Sequence, residues 1–167
     1  TDYVDLLSFH AFDTITPIEE SLTAIEDLIK QDLIRYFSVS NFTVDQMDAY
    51  KTVERSFSVR SRIVAVQNQF DILHGEYAPY DGVLEYASRM GISYVAWSPL
   101  ARGFLTERYL DLANIGKGDR LYDEERITTD SNIPGMEKLH SLAKLAQEWG
   151  MKLSQLVLSY MLSLPGM

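Results

Sequence analysis

Apolar residues gather in four short runs, Val4 to Phe9, Ile34 to Val39, Ile63 to Val66 and Ile92 to Trp97, which recur about every 30 residues. Runs this short and this rich in β-branched and aromatic side chains read as buried strands. Each of the first three is followed by apolar positions at helical spacing. Ile18, Leu22, Ile25, Ile29 and Leu33 form one stripe. Thr16, Pro17 and Glu19 just before it read as a capping box, with proline at the first helical position. A second helix is predicted from Thr43, with Gln46 three residues on and Met47 and Tyr50 on its apolar side. A third spans Asp81 to Met90 and stops at Gly91.

After Trp97 the rhythm breaks. Pro99 to Asn132 is long, polar and poor in helix signals, a length usually kept for function or disorder. Two more helices follow, Pro134 to Trp149 (closed by Gly150) and Ser154 to Leu164 (closed by Pro165 and Gly166). Near-continuous apolar strands alternating with helices predict a parallel sheet buried on both faces. A doubly wound open sheet and a (βα)8 barrel both satisfy that pattern. A whole barrel takes about 250 residues, so on that reading the chain, which opens at Thr1 in strand-like sequence, is a piece of one.

Composition narrows the chemistry. The 167 residues are 46% hydrophobic and carry a net charge of −9, which argues against a nucleic-acid partner, since phosphate needs a basic face. No apolar run approaches the roughly 20 residues of a membrane span. There is no cysteine, which excludes disulfides and thiolate chemistry and suits a cytoplasmic setting. His10, His74 and His140 are too dispersed for a metal site, and His74 and His140 read as a loop and an exposed helix residue. No nucleophile elbow, P-loop or G-x-G-x-x-G turn occurs.

What stands at the strand ends is more specific. The first run ends in His10, with Asp13 beyond it as a loop organiser. The second ends in Ser40 and Asn41, the third in Gln67 and Asn68, the fourth in Trp97 and Ser98. In a βα barrel such ends meet at one rim, where barrel enzymes keep their active sites. Carboxamides match an amide on a ligand, an indole offers a stacking face, and an imidazole can orient a carbonyl. Ser40 and Asn41 also suit a helix cap before Thr43, and the Asp123–Glu124–Glu125 run reads as a solvated face.

The segments DYVDLLSFHAFD, IRYFSVSNF, VAVQNQFDILH and AWSPLARGFLTERY resemble, in order and spacing, the strand-end motifs of the aldo-keto reductases. The W-S-P-L-A-R-G form is similar to bacterial members and potassium-channel β subunits. The resemblance implies a TIM (βα)8 barrel of which this chain holds about strands 4–7 with their helices. It implies reduction of aldehydes or ketones with NADP, or NAD, as cofactor. His10 would orient the carbonyl of a small-molecule substrate. Ser40, Asn41 and Gln67 would hold the nicotinamide carboxamide, Trp97 would stack on its ring, and Ser98, Leu100, Arg102 and Gly103 would follow the pyrophosphate. The family's catalytic tyrosine, lysine and aspartate belong to strands before Thr1, and its adenosine-phosphate clamp lies past Met167, so this stretch alone is expected to be inactive. Gln69 stands where many relatives carry glutamate, and Glu107 where glycine is frequent. The alternative is a non-catalytic, cofactor-binding regulatory subunit like those of potassium channels.

Overall fold

Strands and helices alternate along the first part of the chain, and the order in which the strands pair decides the architecture. The structure is a computed structural model that describes residues 2–127 and 135–167. It contains β1 (Val4–Phe9), α1 (Ile18–Lys30), β2 (Ile34–Ser40), α2 (Val44–Val53), β3 (Ile63–Asp71), β4 (Gly75–Glu76), α3 (Val83–Met90), β5 (Ser93–Trp97), α4 (Arg120–Asp123), α5 (Met136–Glu148) and α6 (Leu153–Leu162). The chain separates into two compact units. The first comprises residues 1–69, 76–97 and 165–167, and the second residues 70–75 and 98–164.

In the first unit β1, β2, β3 and β5 lie side by side and parallel. The two-residue β4 also pairs with β3; apart from it, the strands follow the order of the sequence with no reversal. A doubly wound sheet reverses at a switch point; an arc of a barrel does not. Hydrophobic periodicity explains the helical layer: Leu22, Ile25 and Ile29 of α1 are buried, each contributing about 1.5–3 kcal/mol. Behind the sheet Phe9, Phe37, Phe42, Phe12 and Tyr50 form a ring cluster with centroids 5.0–6.4 Å apart.

Burial on both faces is not what the sheet shows. Leu6, Tyr36 and Val95 are 46%, 52% and 42% exposed, and the register puts them on the face that also carries Ser8, Ser40 and Gln67. Side chains alternate along a strand, so the helices cover only the face bearing Phe37, Val39 and Val66, all fully buried.

Several helix ends differ from expectation. α1 has no side-chain cap; instead Asp13 accepts hydrogen bonds from the amides of Ile15 and Thr16 at 2.8 and 3.2 Å. Leu33 lies past the helix and is 42% exposed. At α2 the capping box is present as predicted, Thr43 with Gln46, so neither Ser40 nor Asn41 is the cap. Gly91 closes α3 in the left-handed conformation at φ 67°. There glycine escapes the Cβ clash that other residues would meet.

In the second unit the stretch after Trp97 is packed rather than loose. Phe104, Leu105, Tyr109, Ile115, Leu121 and Ile127 are buried, and 3-10 turns connect them. The predicted start of a helix at Pro134 and the loop end at Asn132 lie outside the described residues. No helix among the described residues is long and apolar enough to cross a membrane.

Candidate active site

The C-terminal ends of β1, β2, β3 and β5 surround one cavity of about 430 Å³, lined by Ser8, His10, Ser40, Asn41, Gln67 and Trp97. Parallel pairing is the reason. Ser40 stands opposite Gln67, and Gln67 opposite Val95 two residues before Trp97. Residues of the same parity therefore reach the same face at the same height. Imidazole, hydroxyls, carboxamides and indole, scattered over about 90 positions of sequence, share one space.

Three of these groups are already engaged. The Ser40 hydroxyl, almost fully buried, donates to the Gln67 carbonyl at 2.8 Å. Asn41 is the hub. Its Nδ2 donates to the His10 carbonyl at 2.9 Å and to Ser40 Oγ at 3.2 Å, and its Oδ1 accepts from Trp97 Nε1 at 3.1 Å. Asn41 holds φ at 58°, a left-handed conformation that asparagine tolerates better than most residues. The indole edge is thus pinned to the backbone just after β1 through one carboxamide.

The Gln67 carboxamide and the His10 imidazole make no side-chain hydrogen bond among the described residues. With the Ser8 hydroxyl, which makes none either, they are the cavity groups with capacity to spare. Ser8 also lines the cavity and was not singled out from the sequence. Its position two residues before His10, polar within an apolar strand, is the signal that marks it. Asn68 faces the other way: fully buried, it bonds the Phe42 amide and carbonyl at 3.2 and 2.8 Å and serves packing alone. Asp13 has its carboxyl held below the usual range by the Ile15 amide first, then by Thr16.

Ser98, Leu100, Arg102 and Gly103 belong to the second unit. They form a tight turn in which Ser98, Ala101, Arg102 and Gly103 all have positive φ, at 58°, 48°, 59° and 98°. Bonds from the Ala101 amide to the Ser98 carbonyl and from the Gly103 amide to the Leu100 carbonyl, both 2.9 Å, close it. Non-glycine residues held this way cost about 1–3 kcal/mol each and cluster at functional sites. Arg102 pairs with Glu124 at 3.1 Å.

The acidic run is therefore not simply solvated. Glu124 also pairs with Arg120 at 2.8 Å and Arg126 at 3.2 Å, and Asp123 accepts from the Gly118 amide. Glu107, a departure from the reductase pattern, accepts from the Leu153 amide at the start of α6 at 2.7 Å. His74 pairs with buried Asp71 at 2.9 Å. On α5, His140 contacts the Met136 and Leu110 carbonyls.

Comparison with known proteins converges on one family. The chain is 26% identical to the aldo-keto reductase YhdN of Bacillus subtilis, over 99% of this chain and 48% of that protein. The crystal structure of a thermostable aldo-keto reductase, Tm1743, in complex with epalrestat superposes with a TM-score of 0.71 at 27% identity, over 99% of this chain and 48% of that one. An aldo/keto reductase from Klebsiella pneumoniae, crystallised with NADP and acetate, shares the fold with a TM-score of 0.66 at 22% identity, over 99% of this chain and 47% of its own. The chain spans less than half the length of the curated relatives it matches, and its parallel sheet is that of a partial barrel. The family model for aldo/keto reductases matches residues 1–167 throughout, and the chain belongs to that family of oxidoreductases.

Proposed function

We propose that this chain forms about the fourth to seventh strands of an NAD(P)H-dependent reductase of aldehydes or ketones, and that the cavity at its strand ends holds the nicotinamide and the substrate carbonyl. One observation carries the reading: two groups with unused hydrogen-bonding capacity, Gln67 and His10, face a cavity whose aromatic wall, Trp97, is fixed at its edge by Asn41. A carboxamide offers one donor pair and one acceptor to a ligand amide, which suits Gln67 to the nicotinamide carboxamide. Ser40 and Asn41 act by shaping the rim, because their own bonds are committed. An indole held edge-on to Asn41 presents its face for stacking.

When bound, NADPH would supply the hydride. His10 orients the carbonyl by a hydrogen bond from its ring, so that the reacting atoms meet at a productive angle. The Ser98–Gly103 turn receives the phosphates, with Arg102 as its charged arm. NADP is favoured over NAD by analogy with the Klebsiella protein. A small carbonyl compound is the partner, and a chain without cysteine suits the reducing cytoplasm.

The test is a titration of the full-length protein with NADPH, followed by tryptophan fluorescence. Trp149, just past the end of α5, is 64% exposed and is the second of the two tryptophans in this chain. Saturable quenching should survive in Trp149→Phe and largely vanish in Trp97→Ala. Absence of quenching, or quenching that Trp97→Ala leaves intact, rejects the assignment.

A further inference from the structure

Three arginines meet at one carboxylate in the second unit. Glu124 Oε1 accepts from Arg120, while Oε2 is shared by Arg102 and Arg126, all at 2.8–3.2 Å. The arrangement is asymmetric in a useful way. Arg120 is four residues before Glu124 on the same short helical segment and Arg126 is two after it, whereas Arg102 reaches in from a distant turn. If Arg102 departs, Glu124 keeps two guanidinium partners and is not stranded. The exchange therefore costs only one partly exposed ion pair, and such pairs are weak.

The guanidinium itself is fit to exchange. Arginine binds carboxylate and phosphate with the same planar fork. The backbone beneath Arg102 is held rigid by the turn and by buried Phe104 and Leu105, so only the side chain needs to move. The flanking carboxylate of Asp123 is already engaged by the Gly118 amide and does not compete for it.

We propose that Glu124 is a parking site for Arg102: without ligand the arginine rests on Glu124, and it swings to a phosphate oxygen of the dinucleotide when the cofactor arrives. Glu124 thereby competes with the cofactor and sets how tightly it is held. The inference rests on the cofactor reading of the Ser98–Gly103 turn given above.

NADPH affinity of the full-length protein, measured by calorimetry for the wild type, Glu124→Gln, Arg102→Ala and the double variant, tests it. Glu124→Gln frees the arginine and should tighten binding about two- to fivefold, the worth of an exposed ion pair. Arg102→Ala should weaken binding about tenfold, the loss of a hydrogen bond to a charged group. In the double variant, Glu124→Gln should have no further effect. Melting temperatures equal to the wild type keep misfolding out of the comparison. Tightening that persists without Arg102, or Glu124→Gln that leaves binding unchanged or weaker, overturns the parking role alone. Wild-type protein that binds no dinucleotide overturns the cofactor reading and this inference with it.

Discussion

In the first unit the bonded polar groups at the strand ends are uncharged and tied to backbone: at the cavity Ser40 to the Gln67 carbonyl and Asn41 to the His10 carbonyl, and on the opposite face Asn68 to both polar groups of Phe42. In the second unit the corresponding work falls to exposed ions: Arg108 with Asp119, Arg102 and Arg120 with Glu124. Neutral bonds in a buried setting hold a group in one place, because breaking them leaves a desolvated donor or acceptor. Exposed ions exchange partners at small cost, because water and salt stand ready to replace them. The same chain thus keeps a rigid set of neutral bonds at its strand ends and a yielding set of charges in the second unit.

The sharpest break in that contrast should come at Asn68. Replacing it with leucine keeps the volume but removes both bonds to Phe42, which is itself fully buried. Two unsatisfied backbone groups should cost about 2–4 kcal/mol of stability. Urea unfolding measures it, and a loss under about 1 kcal/mol would show that the pair is dispensable. A smaller effect is expected from Asn41→Asp. The acceptor for Trp97 Nε1 survives, but a carboxylate oxygen now faces the His10 carbonyl where an N–H donated. The cost should be about 1–3 kcal/mol, with the Trp97 emission shifted because the carboxylate, repelled by that carbonyl, turns away and carries the bonded indole edge with it. Unchanged emission would mean that Asn41 does not position the indole.

These contrasts were only partly legible in the sequence. Local chemistry read well: Thr43 with Gln46, and Gly91, act through partners within four residues. Strand ends read well too, because parallel pairing sends equal parities to equal heights. Features decided across space did not. Asp13 replaces the T-P-I-E cap by gripping Ile15 and Thr16, and Thr16 looks like a cap whether or not that carboxylate reaches it. Asn68 and Gln67 are adjacent amides with opposite fates, separated only by which face the register assigns. β1 reads as buried from its apolar run, yet Val4 and Leu6 are exposed because burial depends on what lies over a face. Glu124 reads as solvent-facing although Arg120, four residues before it, is a local partner on offer; only its bond to Arg102, 22 residues away, lies beyond local reading.

The weakest interactions give the last way to sharpen the comparison. The Asp119 carboxyl lies below the ordinary carboxylate range, chiefly through Arg108 and then the Gly116 amide; Glu124 lies low chiefly through Arg120. A depressed pKa in the folded state adds stability above the unfolded value, and that contribution fades as pH falls through the folded one. With ordinary carboxyls near 4, the ion-held turns should loosen below about pH 4 and remain unaffected between neutrality and pH 5. Salt should act the same way, since at about 1 M the screening length shrinks to about 3 Å. Amide hydrogen exchange separates the two regimes within one sample. Protection of the Gly116 amide, bonded to Asp119 at 2.8 Å, should drop several-fold at high salt and again in acid. The Phe42 amide, bonded to the neutral Asn68, should respond to neither until the whole chain unfolds. Equal loss at both amides would mean that the charges in the second unit are no more exchangeable than the neutral bonds of the first, and the contrast between them would have to be abandoned.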